Sequence, residues 1–172
     1  MRKNLFAIPI FEDKVDLDKI VISDENLKET WDCQLKTTYF EQHEVPQDTW
    51  DYLGQIITKN INDIDCRYHH PRIENLWMNS YVKTDFQEPH IHSHCQWSFI
   101  IYQTVPSKTV FFNPSFKDIQ NQIGNDVPDF PLDYKPQLEP GSIIIFPSFL
   151  LHMVMQGNEG TTIAGNVRLE YD

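Results

Sequence analysis

Apolar residues change their spacing along this 172-residue chain, from a helical pattern before about residue 73 to a strand-like pattern after it. Between Asp48 and Ile61 they recur every three or four positions, which is the period of a helix with one apolar face. The positions concerned are Trp50, Leu53, Ile57 and Ile61. This stretch is therefore predicted to be a helix that packs on a core.

Two shorter elements are predicted nearer the N-terminus. The stretch NLFAIPIFEDKV mixes strand-forming residues with Pro9, which is typical of an edge strand or an extended lead-in. The stretch SDENLKETW begins with Ser23 and Asp24, which are both good N-cap residues. A short helix is predicted there.

The chain after Ile73 is rich in aromatic and β-branched residues, and turn residues divide it into short segments. These segments are NLWMNSYVK, QWSFIIYQTV, KTVFFN, GSIIIFP and TTIAGNVRLEY. Several short strands without alternating helices indicate an antiparallel sandwich or a barrel-like roll.

A polar segment rich in proline and aspartate runs from Asn113 to Gly141. It has no clear period and is predicted to be a long loop. Loops of this length inside a compact domain usually serve function or move. The segment from Asn113 to Pro140 is therefore a candidate lid over a substrate.

The chain contains no internal repeat, low-complexity stretch or Gly/Ser linker. Residues 1–172 are accordingly predicted to form a single domain. Within it, residues 1–72 are expected to supply an N-terminal strand and supporting helices. Residues 73–172 are expected to form a β core that carries the chemistry.

Composition and charge narrow the classes of partner. The formal net charge is −11, with 14 Lys and Arg against 25 Asp and Glu, so binding of duplex nucleic acid is disfavoured. No apolar run approaches the roughly 20 residues of a membrane span, and the N-terminus does not read as a secretory signal. The three cysteines share no CxxC spacing, which fits reduced thiols in the cytoplasm.

A histidine cluster stands at the start of one predicted strand, in the stretch EPHIHSHCQWSFIIY. His90 and His92 are two positions apart, so on a strand they project from the same face and can converge on one cation. A third ligand must come from another strand, and His152 is the obvious candidate. Neutral imidazole suits Fe, Zn, Cu or Ni. His94 is the expected bystander of the cluster.

Several of these stretches together resemble a known family. They are LWMNSYVKTDFQEPHIHSHCQWSFIIYQTVP, VFFNPS, GSIIIFPSFLLH and IAGNV, with LFAIPIF near the N-terminus. The pattern resembles the 2-oxoglutarate/Fe(II) oxygenases common in marine bacteria and their phages. The resemblance implies a mainly β fold, a double-stranded β-helix (jelly roll) with supporting N-terminal helices.

The resemblance also implies roles for particular residues. His90, His92 and His152 match the iron ligands, although the wider superfamily has a carboxylate where His92 stands. Asn79 and Tyr81 lie as far before His90 as a pair that binds the cosubstrate in one branch of the superfamily. Tyr102 shares strand parity with His90 and is expected to point into the same barrel.

The far carboxylate of 2-oxoglutarate needs a binding group, ideally a guanidinium. Arg168 follows His152 at about the spacing of the superfamily's arginine, whereas the nearer family usually carries its arginine earlier. Arg168 is therefore the predicted anchor. Lys83 or a hydroxyl is the alternative, and a third option is a cosubstrate other than 2-oxoglutarate.

The sequence thus predicts a cytoplasmic oxidoreductase of a bacterial or phage-infected cell that uses Fe(II) and 2-oxoglutarate to hydroxylate a substrate. The substrate is expected to be a small molecule or a protein side chain, and a homodimer is compatible with the sequence. Two alternatives remain at this point. One is a cupin-like protein that uses three histidines without 2-oxoglutarate, as a dioxygenase or isomerase, and the other is a non-catalytic jelly-roll module.

Overall fold

Two antiparallel sheets contain most of the chain in the computed structural model, which describes residues 7–30, 33–40, 44–64, 69–123, 131–157 and 159–171. Within these residues the larger sheet has seven strands. In spatial order they are β1 (Phe11–Lys14), β9 (Ser142–Pro147), β6 (Trp97–Tyr102), β11 (Gly160–Tyr171), β4 (His69–Tyr81), β3 (Cys33–Thr37) and β2 (Lys28–Thr30). The prediction of a mainly β fold is confirmed.

The smaller sheet has four strands among the described residues. Their spatial order is β5 (Gln87–His90), β10 (His152–Val154), β7 (Thr109–Phe112) and β8 (Asp133–Tyr134). At one edge the hydroxyl of Tyr134 on β8 donates to Glu12 Oε1 on β1, at 2.7 Å. This hydrogen bond joins the edges of the two sheets.

The larger sheet is buried on both faces, which explains its continuous apolar runs. In β9, Ile143 and Ile145 belong to a core beneath the sheet, whereas Ile144 and Phe146 belong to a second core. The second core also holds Phe111 of β7 and therefore lies between the two sheets. A cavity inside this second core is thus shielded from water by both sheets.

The first core is closed by helix α1, which spans Gln47–Ile61. Its buried positions are Thr49, Leu53, Ile57 and Ile61, and Trp50 packs against the same core while staying partly exposed. The helix predicted from apolar spacing is confirmed, and it begins one residue earlier than predicted. Neither α1 nor the other α-helix of the described residues is long and apolar enough to cross a bilayer.

The short helix predicted in SDENLKETW is wrong. Its first part is a turn, in which the Leu27 N–H donates to the Asp24 carbonyl at 3.2 Å and the Glu25 N–H donates to Ser23 Oγ at 3.2 Å. The next residues form β2, which pairs with β3. Sheet pairing outweighs the weak helix propensity of so short a segment. The described N-terminal region therefore adds strands β1, β2 and β3 to the larger sheet and only one α-helix, with short 3-10 turns at Leu17–Lys19 and Asn62–Ile64.

The segment from Asn113 to Gly141 is more ordered than predicted. It contains helix α2 (Phe116–Ile123) and strand β8, which pairs with β7 opposite Phe111 and Phe112. Residues 124–130 lie outside the described residues. The Asn113 side chain starts the helical turn, because its Oδ1 accepts the Ser115 N–H at 3.0 Å. The role of the segment as a lid stays a prediction.

Candidate metal centre

Strand pairing brings two of the predicted ligands face to face. In the antiparallel ladder between β5 and β10, His152 is the direct partner of His90. Their ring centroids are 4.2 Å apart. His152 is almost completely buried, at 2% exposure, because Phe146 and Phe111 pack around its ring.

Hydrogen bonds to the backbone fix both rings in one tautomer. His90 Nδ1 lies 2.7 Å from the Glu88 carbonyl oxygen, and His152 Nδ1 lies 2.9 Å from the Leu150 carbonyl oxygen. Since a carbonyl oxygen only accepts hydrogen bonds, each Nδ1 carries the proton. The lone pair of each imidazole is therefore on Nε2, ready to bind a metal ion.

The third histidine lies just beyond the end of β5. The His92 backbone N–H donates to the Ser148 carbonyl at 3.0 Å, and its ring lies parallel to that of His152, with centroids 5.2 Å apart. The ring is also stacked on Trp77, at 5.8 Å. One ligand atom from each of His90, His92 and His152 lies within 4.8 Å of the other two. Three imidazoles this close could hold one transition-metal ion.

Burial keeps these imidazoles neutral. It lowers the pKa of His90, His92 and His152, and for His92 the value falls to about 4, with the neighbouring His90 as a second cause. Neutral imidazole is the form that binds metal, so the site needs no deprotonation at neutral pH.

His94 does not join this group. It has a positive φ of 67°, and it is exposed. Its carbonyl oxygen accepts a hydrogen bond from Arg168 Nη2 at 3.3 Å. The structure therefore places His94 where the sequence led us to expect a bystander. His43 lies outside the described residues.

A narrow cavity of about 20 Å³ leads from the histidines into the core between the sheets. Asn79, Tyr81 and Tyr102 line it, so the structure brings all three of these predicted cosubstrate residues beside the histidines. The cavity also has polar walls at Gln87, Thr109 and Thr162. No Lys or Arg is among the described residues that line it.

Tyr102 belongs to a buried hydroxyl cluster at this cavity. Its phenol oxygen accepts a hydrogen bond from Ser107 Oγ at 3.0 Å and lies 2.9 Å from Thr109 Oγ1. Because Ser107 is a donor to the phenol, the proton of Tyr102 is available for Thr109 or for a bound anion. Burial raises the pKa of Tyr102, so the phenol is protonated at neutral pH.

Arg168 is not among the residues that line this cavity. Its Nε forms an ion pair with Glu74 Oε1 at 2.9 Å, on the outer part of β11. Lys83, the alternative cation, is paired with Glu159 at 3.6 Å and is largely exposed. The sequence left Arg168, Lys83 or a hydroxyl group as candidates to bind the far carboxylate. Of these, only hydroxyl groups are among the described residues that line the cavity.

A wider groove of about 310 Å³ opens outside the histidines and shares Trp77, His90 and His92 with the inner cavity. Exposed apolar side chains of Tyr39, Phe40 and Ile91 form part of its wall. This groove was not predicted from the sequence. The only sign of the groove in the sequence is the aromatic pair Tyr39 and Phe40, which follows a strand. The spacing of apolar residues does not indicate that this pair is exposed.

Asn166 on β11 was not predicted either. It is buried, and its side chain lines the groove next to the His92 imidazole. An asparagine within the apolar run IAGNV was the available signal, because a buried amide requires partners.

Comparisons with known proteins agree with this geometry. The family model described as "Putative 2OG-Fe(II) oxygenase" matches residues 75–163, just over half of the chain. No curated protein matches the chain in sequence.

Solved structures share the fold at low identity. An oxidoreductase of the 2OG-Fe(II) oxygenase family from Burkholderia pseudomallei is 12% identical, with a TM-score of 0.52 over 94% of this chain and 73% of that one. A Pseudomonas putida prolyl-4-hydroxylase is 12% identical, with a TM-score of 0.54 over 95% and 94%. The viral collagen prolyl hydroxylase of Paramecium bursaria Chlorella virus-1, solved with 2OG, is 14% identical, with a TM-score of 0.51 over 80% and 79%. The predicted double-stranded β-helix is confirmed.

Proposed function

The chain belongs to the 2OG-Fe(II) oxygenase family and is a 2-oxoglutarate-dependent oxidoreductase with Fe(II) as its metal, and we propose that His90, His92 and His152 hold the iron. The observation that carries the assignment is the convergence of three neutral imidazoles within 4.8 Å of one another. Family membership favours this function over the two alternatives that do without 2-oxoglutarate.

The donor set fits the metal. Imidazole nitrogen suits Fe(II), and three protein ligands leave coordination positions open for other molecules. When bound, iron together with 2-oxoglutarate and oxygen supplies the oxidant for hydroxylation of a C–H bond. The residues of this chain orient the reactants and exclude water: Phe146 and Phe111 pack against His152 on the buried side.

The donor set of the inner cavity fits a carboxylate through neutral hydrogen bonds. We assign Asn79, Tyr81 and Tyr102 to the cosubstrate, with the Tyr102 proton as donor to the far carboxylate. Thr109 is the adjacent hydroxyl, 2.9 Å from Tyr102. A volume of about 20 Å³ holds roughly one water molecule. The side chains that line the cavity must therefore rearrange to admit 2-oxoglutarate.

Arg168 is the charged competitor for the same role. To reach the cavity, its guanidinium would have to leave Glu74, to which it is held at 2.9 Å. The ion pair is partly exposed and thus weak, so such a movement is energetically cheap. If Tyr102 is the anchor, its loss weakens the binding of 2-oxoglutarate, and if Arg168 is the anchor, the loss of Arg168 does so. Variants of the two residues therefore distinguish them.

The groove supports an uncharged substrate group. Apart from histidine, its described walls have no ionisable side chain other than Tyr39, and the protein as a whole has a net charge of −11. Tyr39 makes edge-to-face contacts with Phe40 and with Trp77, and the Trp77 ring is stacked on His92. Aromatic faces of this kind pack well on saturated apolar groups. A protein side chain such as proline has this chemistry, and prolyl hydroxylases are among the similar structures.

The experiment that tests the iron assignment compares single histidine variants. Purified chain with Fe(II), 2-oxoglutarate and oxygen is expected to convert 2-oxoglutarate to succinate and to bind about one ion per chain. His90→Ala, His92→Ala and His152→Ala should each abolish tight binding and turnover. His94→Ala is the matched control and should retain both. Loss of the metal in His94→Ala with retention in His90→Ala would move the assignment to different residues.

The substrate proposal is tested with short peptides of equal length that differ at one central residue. Peptides with proline or leucine there should stimulate succinate formation more than peptides with lysine or glutamate. Phe40→Ala should remove this preference while leaving metal binding intact. A stronger response to a charged peptide than to either neutral one would exclude an uncharged substrate group.

A further inference from the structure

His92 lacks the fixation that the other two histidines have. His90 and His152 lie opposite each other in a strand ladder, and each Nδ1 is held by the carbonyl two residues earlier. His92 lies in the loop after β5, outside that ladder. A ligand on a loop needs support from elsewhere if it is to hold a fixed direction.

That support comes from strand β11 on the opposite sheet. The side chain of Asn166, only 6% exposed, lies beside the His92 imidazole in the wall of the groove. Asn166 Oδ1 in turn accepts the Ser98 hydroxyl at 3.0 Å, and Ser98 Oγ lies 2.8 Å from Ser148 Oγ. Both serines are almost completely buried, at 1% exposure.

The same turn also holds the backbone of His92. The carbonyl of Ser148 accepts the His92 N–H at 3.0 Å, so Ser148 is connected to this histidine through its backbone and, by way of Ser98 and Asn166, through its side chain. Buried polar networks in which each member has a partner are rigid. The direction of the His92 ring is therefore determined by residues distant in sequence.

We propose that Asn166 is a positioning residue that fixes the His92 imidazole as an iron ligand. This inference rests on the proposed function, because it takes His92 to bind the metal. A metal-bound neutral imidazole has one N–H left to donate, and Asn166 Oδ1 can accept it with the lone pair that Ser98 does not use.

The neutral amide also preserves the charge of the site. A carboxylate at position 166 would add a negative charge beside a ligand and increase the electron donation of the imidazole to the metal. With asparagine there, neither the His92 ligand nor its acceptor reduces the positive charge of the ion. The inner cavity has no Lys or Arg among its described walls, so that positive charge is the principal attraction for dianionic 2-oxoglutarate.

The test uses cobalt(II) as the probe, in the full chain and in three variants. Co(II) shifts the proton resonances of its ligands, so each metal-bound imidazole N–H that exchanges slowly gives a separate signal that disappears in D2O. The wild type is expected to give three such signals. Asn166→Ala should lose or broaden one through faster exchange and bind Co(II) about tenfold to a hundredfold more weakly. Asn75→Ala is the control, since Asn75 Oδ1 contacts the backbone N–H of Asn166 at 3.2 Å and not the imidazole.

Asn166→Asp keeps the shape of the side chain and gives the second readout. It should retain three signals, bind Co(II) more tightly, and bind 2-oxoglutarate about tenfold more weakly. Three slowly exchanging signals in Asn166→Ala, with unchanged Co(II) affinity, would overturn the inference, as would loss of the same signal in Asn75→Ala. If Asn166→Ala does not fold, unchanged affinities for both Co(II) and 2-oxoglutarate in Asn166→Asp would overturn it. A wild type that binds no Co(II) contradicts the proposed function itself, which separates the two failures.

Discussion

The charge balance of the site depends on single residues. His92 is neutral where the wider superfamily is expected to have a carboxylate, and Asn166 beside it is neutral as well. The inner cavity has hydroxyl and amide groups instead of cations on its described walls. Under the proposed assignment, the metal supplies most of the positive charge that attracts the cosubstrate, and the hydroxyl groups orient it.

Tyr102→Phe tests the neutral anchor against Arg168. Removing the phenol hydroxyl deletes a hydrogen bond to a charged group, worth about 1.5–3 kcal/mol, so 2-oxoglutarate should bind the metal-loaded protein about tenfold to a hundredfold more weakly. Arg168→Ala should leave the affinity nearly unchanged, because Arg168 does not line the inner cavity. Anaerobic titration of the Fe(II) protein, followed by the metal-to-ligand absorption band, measures both. A large loss in Arg168→Ala together with a small one in Tyr102→Phe would favour the sequence-based prediction for Arg168.

The sequence predicts that the three histidines lie together, as they do in the structure, and it does not predict that Asn166 lies beside them. His90 and His92 follow from the two-residue period of a strand, and His152 from the need for a ligand on another strand. Asn166 reaches His92 only through the pairing of distant strands. A bulge between Asn166 and Val167 alters that pairing, so it could not be counted off from the sequence.

At the scale of elements, strand β11 contacts both the core that α1 closes and the histidine cluster. It lies between β4 and β6, and along it Ile163 and Val167 face the core closed by α1. Asn166 of the same strand faces the histidines. Alternate residues of this one strand thus pack under α1 and lie beside the histidines.

Gly165 is the point on β11 where packing is tightest. A Cβ there would collide with the Phe99 ring and lie 2.7 Å from the Asn75 carbonyl oxygen. Gly165→Ala should therefore lower the free energy of unfolding by about 1–3 kcal/mol, as overpacking of a core does. Gly54→Ala on α1 is the control, because an added Cβ would meet no described atom within 4 Å, and it should be neutral or stabilise by up to about 1 kcal/mol. Urea denaturation checks both, and equal stability of the two variants would contradict the packing argument.

Docking of β1 on α1 should depend on pH through Asp13. Hydrogen bonds from Asn60 and Lys59, at 3.0 and 2.9 Å, lower the pKa of Asp13 to about 2. The contribution of this carboxylate to stability is thus complete above its unfolded pKa and is lost as pH falls toward 2.

Asp13→Asn should consequently cost on the order of 1 kcal/mol at pH 7, and its difference from the wild type should shrink between about pH 5 and pH 2. Urea denaturation of both proteins at pH 7 and at pH 3 measures the change. A difference that stays the same at both pH values would mean that Asp13 acts through packing and not through its charge.

Local sequence patterns predict the secondary structure of the long helix correctly and that of the short N-terminal segment wrongly. Helix α1 has four turns of consistent apolar spacing, so sequence and structure agree on it. In SDENLKETW the residues Ser23 and Asp24 predict the start of a helix, whereas in the structure they stabilise a turn before β2. A short helix gains little stability from its own hydrogen bonds, so pairing with a neighbouring strand determines which secondary structure such a segment adopts. That pairing is a property of the folded chain and leaves no period in the sequence.

At the scale of the whole molecule, charge decides which large partners can approach the groove. Acidic residues exceed basic ones by eleven over the full chain, so association with a polyanion is repulsive at long range. The groove itself has few charges on its described walls, and its exposed side chains there are Tyr39, Phe40 and Ile91. A neutral or basic partner meets no such repulsion.

Generic duplex DNA should therefore show no detectable binding at physiological salt. Duplex affinity arises from Lys and Arg that displace counterions from phosphates, and its logarithm falls linearly with the logarithm of salt concentration. A chain with 14 basic residues against 25 acidic ones lacks the excess that such displacement requires. Fluorescence anisotropy with a labelled duplex, measured across a range of salt concentrations, provides the test, and a basic DNA-binding protein serves as the positive control. Sub-micromolar affinity that weakens as salt is added would show that a local positive surface outweighs the net charge, and it would redirect the search for the substrate toward nucleic-acid bases.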